Sequence, residues 1–223
     1  MSINKEKYNQ LLEEINSKAT LVAVSKTKPV EDIQALYELG QRDFGENYVQ
    51  ELIDKQALLP KDIRWHFIGH LQSNKVKYIA PFVYLIHGVD SFNLLKEINK
   101  QAEKNNRVID CLLQVYIARE ETKFGFDSHE IERFFNPNNI ELSELKNITI
   151  KGLMGIASFT NDMHKVRDEF RHLKHLFEKT AAHYPQFAIL SMGMSNDYHE
   201  ALKEGSNMIR IGSLLFGERN YSK

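Results

Sequence analysis

The sequence predicts a single (β/α)8 TIM barrel, with one extra helix ahead of the first strand, over the whole span 1–223. Eight short apolar runs alternate with longer helical patterns, which is the sequence form of repeated βα units. The length, 223 residues, is close to the roughly 250 typical of that barrel. No linker or low-complexity stretch interrupts the alternation. A doubly wound open sheet would show the same alternation and is the second choice.

The elements follow in order. Residues 4–16 read as the additional helix. Strand one is 20–24, where Leu21-Val22-Ala23-Val24 is short and β-branched, and Pro29 closes the loop behind it. Strands two to four fall at 42–44, 64–68 and 84–88; in the third, His66 alternates with Trp65 and Phe67 and reads as a satisfied barrel residue. Strand five, 108–116, contains the apolar run from Val108 to Val115, and strand six is 148–152. In the long helix after Met163, Val166, Phe170, Leu173 and Phe177 share one face. Strand seven is 187–190 and strand eight 208–211, the latter ending in Gly212-Ser213.

Composition narrows the function. Lys and Arg total 29 against 30 for Asp and Glu, with no basic stripe, which argues against nucleic acid as the main partner. The single cysteine, Cys111, cannot form an internal disulfide and reads as reduced core packing. The N-terminus shows no apolar signal core and no run is long enough to cross a bilayer, so a cytoplasmic protein is expected. A monomer is expected, because no apolar interface stripe stands out.

Active sites of this barrel lie at the C-terminal ends of its strands. That rule gathers Lys26 after strand one, Asn47 after strand two, Gly69-His70-Leu71-Gln72 after strand three, Ser191-Met192-Gly193-Met194-Ser195 after strand seven and Gly212-Ser213 after strand eight. Loops seven and eight are where this fold often binds phosphate through backbone N–H groups. The bland alternative is that Ser195, Asn196 or Asp197 caps the next helix and Gly212 only makes a turn. Lys26 could act as an amine nucleophile if burial or the neighbouring Lys28 lowers its pKa. Alternation puts Arg210 on the inward face with Met208, where it needs an acceptor, either an Asp or Glu or a ligand ring nitrogen. Pyridoxal 5′-phosphate (PLP) meets all three demands with its aldehyde, phosphate and pyridine nitrogen.

The motifs Ala23-Val24-Ser25-Lys26-Thr27-Lys28-Pro29, Phe44-Gly45-Glu46-Asn47-Tyr48-Val49-Gln50-Glu51, Trp65-His66-Phe67-Ile68-Gly69-His70-Leu71-Gln72-Ser73-Asn74-Lys75, Gly152-Leu153-Met154, Ser191-Met192-Gly193-Met194-Ser195 and Met208-Ile209-Arg210-Ile211-Gly212 cover nearly the whole chain. In them the chain strongly resembles the pyridoxal phosphate homeostasis protein family, built like the barrel domain of alanine racemases, a fold type III PLP architecture. The resemblance implies a PLP Schiff base on Lys26, phosphate contacts from Ser195, Gly212 and Ser213, and Arg210 near the pyridine nitrogen. Lys123 matches a family lysine of secondary role. Where the family commonly reads Leu-Gln-Val-Asn, this chain has Leu113-Gln114-Val115-Tyr116, so that asparagine's contact is not carried over.

An arginine facing the pyridine nitrogen weakens the ring as an electron sink, and a racemase needs acid/base groups on both faces of its substrate. In alanine racemases the second group comes from a following β domain, whereas only Gly217 to Lys223 follow the phosphate loop here. The expectation is therefore a protein that stores, buffers or delivers PLP within vitamin B6 homeostasis, with little or no turnover and with PLP-dependent enzymes as possible clients. The alternative is a PLP-dependent amino-acid racemase or related fold type III enzyme using Tyr198, His199 or a second subunit as base. A third option is a cofactor-free aldolase in which Lys26 attacks a sugar phosphate. No metal is expected: His172 and His175 read as a solvated helix face, and Met192 and Met194 as packing residues.

Overall fold

Parallel strands close on one another in chain order, β1 through β8, in the computed structural model, which describes residues 3–118, 124–136 and 139–217. The elements are α1 (Lys5–Ile15), β1 (Thr20–Val24), α2 (Val30–Glu38), β2 (Asp43–Glu46), α3 (Val49–Leu58), β3 (Arg64–Phe67), a 3-10 turn (Ser73–Lys75), α4 (Val76–Ile79), β4 (Leu85–Val89), α5 (Phe92–Lys104), β5 (Ile109–Val115), α6 (Ser128–Phe134), α7 (Ile140–Ser143), β6 (Ile148–Gly155), α8 (Met163–Ala181), β7 (Ile189–Ser191), α9 (Tyr198–Lys203), β8 (Met208–Ile211) and α10 (Ser213–Phe216). Strands β1 and β8 seal the barrel, with Thr20 opposite Met208 and Ala23 opposite Ile211. The predicted barrel and its leading helix are thus observed.

Most strand ends differ from the sequence expectation by a residue or two, β7 lying at Ile189–Ser191 rather than 187–190; β2 and β6 extend furthest beyond it, for physical reasons. Strand β2 continues through Glu46, which pairs in register with Phe67 and is fully buried, because a lysine described below compensates its charge. Strand β6 runs on to Gly155 after its pairing with β5 shifts register between Cys111 and Leu112. Gly152 makes the shift possible: its φ is 153°, and a Cβ there would lie 1.8 Å from the Ile189 carbonyl oxygen.

Strand alternation sorts the side chains into two cores. Val22, Leu85, Leu112, Met154 and Met208 pack together inside the barrel. A larger cluster lies between strands and helices and includes Val166, Phe170, Leu173 and Phe177 of α8, as their spacing predicted. Cys111 belongs to this cluster, and burial pushes its thiol far up, so it behaves as an inert apolar side chain. Helix α1 starts with Asn4 accepting the Lys7 amide at 2.9 Å and buries Tyr8, Leu11 and Ile15. The Asn4 amide also donates to the Leu215 carbonyl at 2.7 Å, tying α1 to α10.

At the opposite end of the barrel from the strand C-termini, Arg64 grips the Asp43 carboxylate with Nε at 2.7 Å and with Nη2, and His66 Nε2 lies 2.9 Å from Asp43 Oδ1. Burial alone would raise the Asp43 pKa, but the hydrogen bonds from Arg64 and His66 outweigh it and hold the group at about 2. A depressed carboxylate contributes stability above its unfolded pKa of about 3.9, and that contribution fades as pH falls toward 2. Asp43→Asn is therefore expected to lower stability in urea titrations at pH 7 and to differ less from wild type at pH 3.

Candidate functional site

A cavity of about 660 Å³ opens at the C-terminal mouth of the barrel, and Lys26, Asn47, Ser195, Arg210, Gly212 and Ser213 all line it. The structure thus brings Lys26, Asn47, Ser195, Gly212 and Ser213 of the strand-end set together with Arg210. The segment Gly69-His70-Leu71-Gln72 does not take part, and Ile68 lines the wall instead. His70 turns to Asp90, with Nδ1 2.8 Å from Oδ2, and its ring lies 4.9 Å from that of Phe124.

Lys26 sits on a tight turn: the Lys28 amide donates to the Ser25 carbonyl at 3.0 Å, and Thr27 adopts φ 63°. A β-branched residue in the left-handed region stores strain of about 1–3 kcal/mol and persists only where its surroundings enforce it. The enforcement comes from Glu51, whose Oε1 accepts the Thr27 amide at 2.6 Å. Beneath the turn, Lys55 Nζ donates to Ser25 O, Glu46 Oε1 and Glu51 Oε1 at 2.7, 2.7 and 2.6 Å, which uses all three ammonium protons. Ser25 Oγ adds a 2.6 Å bond to Glu46 Oε1. Burial raises the Glu46 pKa, opposed by Lys55 and by the Ser25 hydroxyl. Sequence reasoning missed Ser25, Glu46, Glu51 and Lys55, although Glu51 and Lys55 stand at the i, i+4 spacing of a helical ion pair.

The loops after β7 and β8 are knitted together. The Gly212 amide donates to Ser195 Oγ at 3.3 Å, and the Met194 amide donates to Asp197 Oδ1 at 2.6 Å. Asp197 occupies the N-cap position of α9 without making a side-chain cap bond, so the simple capping alternative does not describe it. The N-cap residue of α10 is Gly212, which has no side chain to offer as a cap, and the helix begins at Ser213 beside the cavity. Gly193 is required where it stands: its φ is 96°, and a Cβ would lie 2.6 Å from that of Ala201. Gly193→Ala is expected to cost about 1–3 kcal/mol in thermal or urea unfolding, because left-handed strain and that contact act together.

Arg210 is 4% exposed and points into the barrel as predicted. Its partners differ from the expected carboxylate: Nη1 donates to Ser191 Oγ at 2.6 Å and Nη2 to the Gly155 carbonyl at 3.0 Å. Asp197 acts on the guanidinium through space, without a hydrogen bond to it. Burial pushes its pKa down to about 10, opposed by Asp197, so it stays cationic at neutral pH. Asn47 Oδ1 is buried and has no hydrogen-bond partner among the described residues. Lys28 Nζ donates to the Phe216 and Gly217 carbonyls at 2.8 and 3.3 Å, clamping the end of α10 against the Lys26 turn.

Other candidates fall away from the cavity. Tyr198 is buried and donates from its hydroxyl to Glu14 Oε2 at 2.8 Å, and the exposed His199 has Nε2 3.3 Å from the same oxygen. Neither lines the mouth, so the base expected from them in the racemase alternative is not placed there. Tyr116 is half-buried just past β5 and does not line the cavity. Met192 packs in the core, whereas Met194 is 36% exposed and borders the cavity rather than packing. His172 Nε2 lies 2.8 Å from Ser128 Oγ. Lys123 lies outside the described residues.

Mouth lysine, inward arginine and paired loops gather around one cavity at the strand C-termini of a closed (β/α)8 barrel. The chain belongs to the family of the alanine racemase N-terminal domain, whose model matches residues 4–220. A relative from Aquifex aeolicus, named pyridoxal phosphate homeostasis protein, is 44% identical over 205 residues, spanning 91% of this chain and 88% of its own. The structure of PipY from Synechococcus elongatus without PLP superposes with a TM-score of 0.88 at 35% identity, covering 95% of this chain and 99% of PipY. PipY with PLP bound gives a TM-score of 0.85 at 34% identity over the same shares. Alanine racemase of Clostridium difficile shares the fold, with a TM-score of 0.75 at 15% identity over 99% of this chain and 59% of the racemase. Among the described residues, no helix is long and apolar enough to cross a membrane.

Proposed function

We propose that this protein binds pyridoxal 5′-phosphate covalently through Lys26 and serves cellular PLP homeostasis by storing, buffering or delivering the cofactor, as one domain over residues 1–223. The observation that carries this is the meeting of Lys26, Arg210 and the Ser195–Gly212 pair around one cavity. The relatives named as pyridoxal phosphate homeostasis proteins and the PLP-bound PipY support it. The site also fits such a group on its own terms, since among the described residues the buried Asn47 Oδ1 has no donor, and the N-cap of α10 is Gly212, which lets a ligand approach the backbone.

When bound, PLP supplies an aldehyde for the lysine and an anionic phosphate for the loops. The strained Thr27 turn aims the Lys26 amine into the cavity and limits the freedom it would lose on binding. Ser195, Gly212 and Ser213, which border the cavity, would hold the phosphate, and Arg210 would face the pyridine nitrogen. A cationic Arg210 would keep that nitrogen unprotonated, which would restrain carbanion chemistry. With Tyr198 and His199 tied to Glu14, the site favours holding the cofactor over turning over amino acids. A cytoplasmic monomer that exchanges PLP with client enzymes is the setting this implies.

PLP and pyridoxal, which lacks the phosphate, separate the possibilities in equilibrium dialysis. PLP is expected to bind at least about tenfold more tightly, given charge-assisted hydrogen bonds to its phosphate. Equal affinity, or robust racemisation of amino acids by the pure protein, would overturn the proposal.

A further inference from the structure

The barrel interior holds a polar chain that cofactor binding does not explain. Asp43 of β2, His66 of β3, His87 of β4, Ser191 of β7 and Arg210 of β8 form one continuous line of contacts across the barrel. His66 Nε2 lies 2.9 Å from Asp43 Oδ1, His66 Nδ1 lies 2.8 Å from His87 Nε2, and His87 Nδ1 lies 3.3 Å from Ser191 Oγ. Arg210 Nη1 completes the line with its 2.6 Å bond to Ser191 Oγ. Both histidines and the serine are fully buried.

The two ends dictate every proton position between them. A guanidinium only donates and an ionised carboxylate only accepts. Asp43, held ionised by Arg64, therefore accepts a hydrogen bond from His66 Nε2–H, which leaves His66 Nδ1 as acceptor. His87 must then donate from Nε2 and accept at Nδ1, where the Ser191 hydroxyl supplies the proton. Ser191 keeps its lone pairs for Arg210. All four bonds run one way, from the guanidinium at the mouth to the carboxylate at the base, and bonds aligned in this manner polarise one another. Both imidazoles are neutral in this arrangement, and burial, which lowers both their pKa values, works in the same direction.

Buried polar chains are dispensable for packing, since apolar residues of similar volume fill barrel interiors. Here the chain ends on the guanidinium that lines the cavity, and neither of the hydrogen bonds that Arg210 donates goes to a carboxylate. We propose that Asp43, His66, His87 and Ser191 are positioning residues that orient Arg210 toward its ligand. The proposal rests on the PLP reading for the ligand's identity, but the relay itself exists without the cofactor.

Its test therefore starts with PLP-free protein. Ring ¹⁵N NMR is expected to show His66 and His87 as neutral Nε2–H tautomers, and Asp43→Asn is expected to shift the Arg210 side-chain N–H resonances. In PLP-loaded protein, Asp43→Asn and Ser191→Ala should each move the absorption maximum of the bound cofactor in the same direction. The double variant should move it no further than Ser191→Ala alone. An Nδ1–H tautomer at His87, unshifted Arg210 resonances in Asp43→Asn, or additive spectral shifts would overturn the relay. Should Asp43→Asn fail to fold, Ser191→Ala carries the NMR test, because it removes the link at the cavity end. A wild-type protein that takes up no PLP would overturn the cofactor reading, while the NMR result would still decide the relay.

Discussion

Lys26→Ala is expected to remain folded and to lose all covalent uptake of PLP, with its residual, noncovalent affinity at least about tenfold weaker. The side chain is half-buried, and the bonds that shape its turn belong to backbone atoms of Ser25, Thr27 and Lys28 and to Glu51 and Lys55. Removing the ε-amine therefore leaves the turn standing while deleting the nucleophile. Ser195, Gly212 and Arg210 still line the cavity, and in the proposed binding mode they would sustain residual binding through phosphate and ring. Circular dichroism establishes the fold, and dialysis with and without borohydride separates the two modes of binding. A Lys26→Ala protein that still retained PLP after reduction and denaturation would contradict this.

Lys55→Met carries the largest expected effect on stability. It strands Glu46, which is 0% exposed and hydrogen-bonded to Lys55 and Ser25, and breaking one side of a buried ion pair costs about 3–5 kcal/mol. The pH dependence follows from the direction of the Glu46 shift. Burial raises its folded pKa, so its contribution is most favourable below the unfolded value of about 4.3 and is lost as pH rises through the folded pKa. Lys55 opposes that loss, and without it the deficit grows with pH. Urea unfolding should thus show a larger penalty at pH 8 than at pH 5, and Glu46→Gln in the Lys55→Met background should recover part of it. An equal penalty at both pH values would show that the lysine acts only through packing.

The barrel was legible because its signals are local. Each strand is a short apolar run, α8 carries its helical stripe in Val166, Phe170, Leu173 and Phe177, and the strand-end rule converts chain positions into one mouth. Lys26, Asn47, Ser195, Gly212 and Ser213, gathered by that rule, and Arg210, placed by strand alternation, all line the cavity. What escaped depends on register and on long-range pairing. The bulge at Gly152 lengthens β6 through a register shift with β5 that no single strand announces. His66 reads correctly as a satisfied barrel residue, but its partners Asp43 and His87 lie on the flanking strands and meet it only once the staggered sheet is closed. His70 follows the third strand as the rule requires, yet its bond to Asp90 draws it away from the cavity. Tyr198 follows the seventh loop and is claimed by Glu14 from the leading helix, a contact between residues far apart in the chain.

Treating PLP-saturated protein with borohydride, digesting it and mapping the modified peptide by mass spectrometry tests the central claim most directly. The account predicts a single pyridoxyl group, on the peptide that carries Lys26. Its appearance on Lys28, Lys55 or any other side chain, or its absence from every peptide, would contradict the assignment of the amine that the whole mouth is built around.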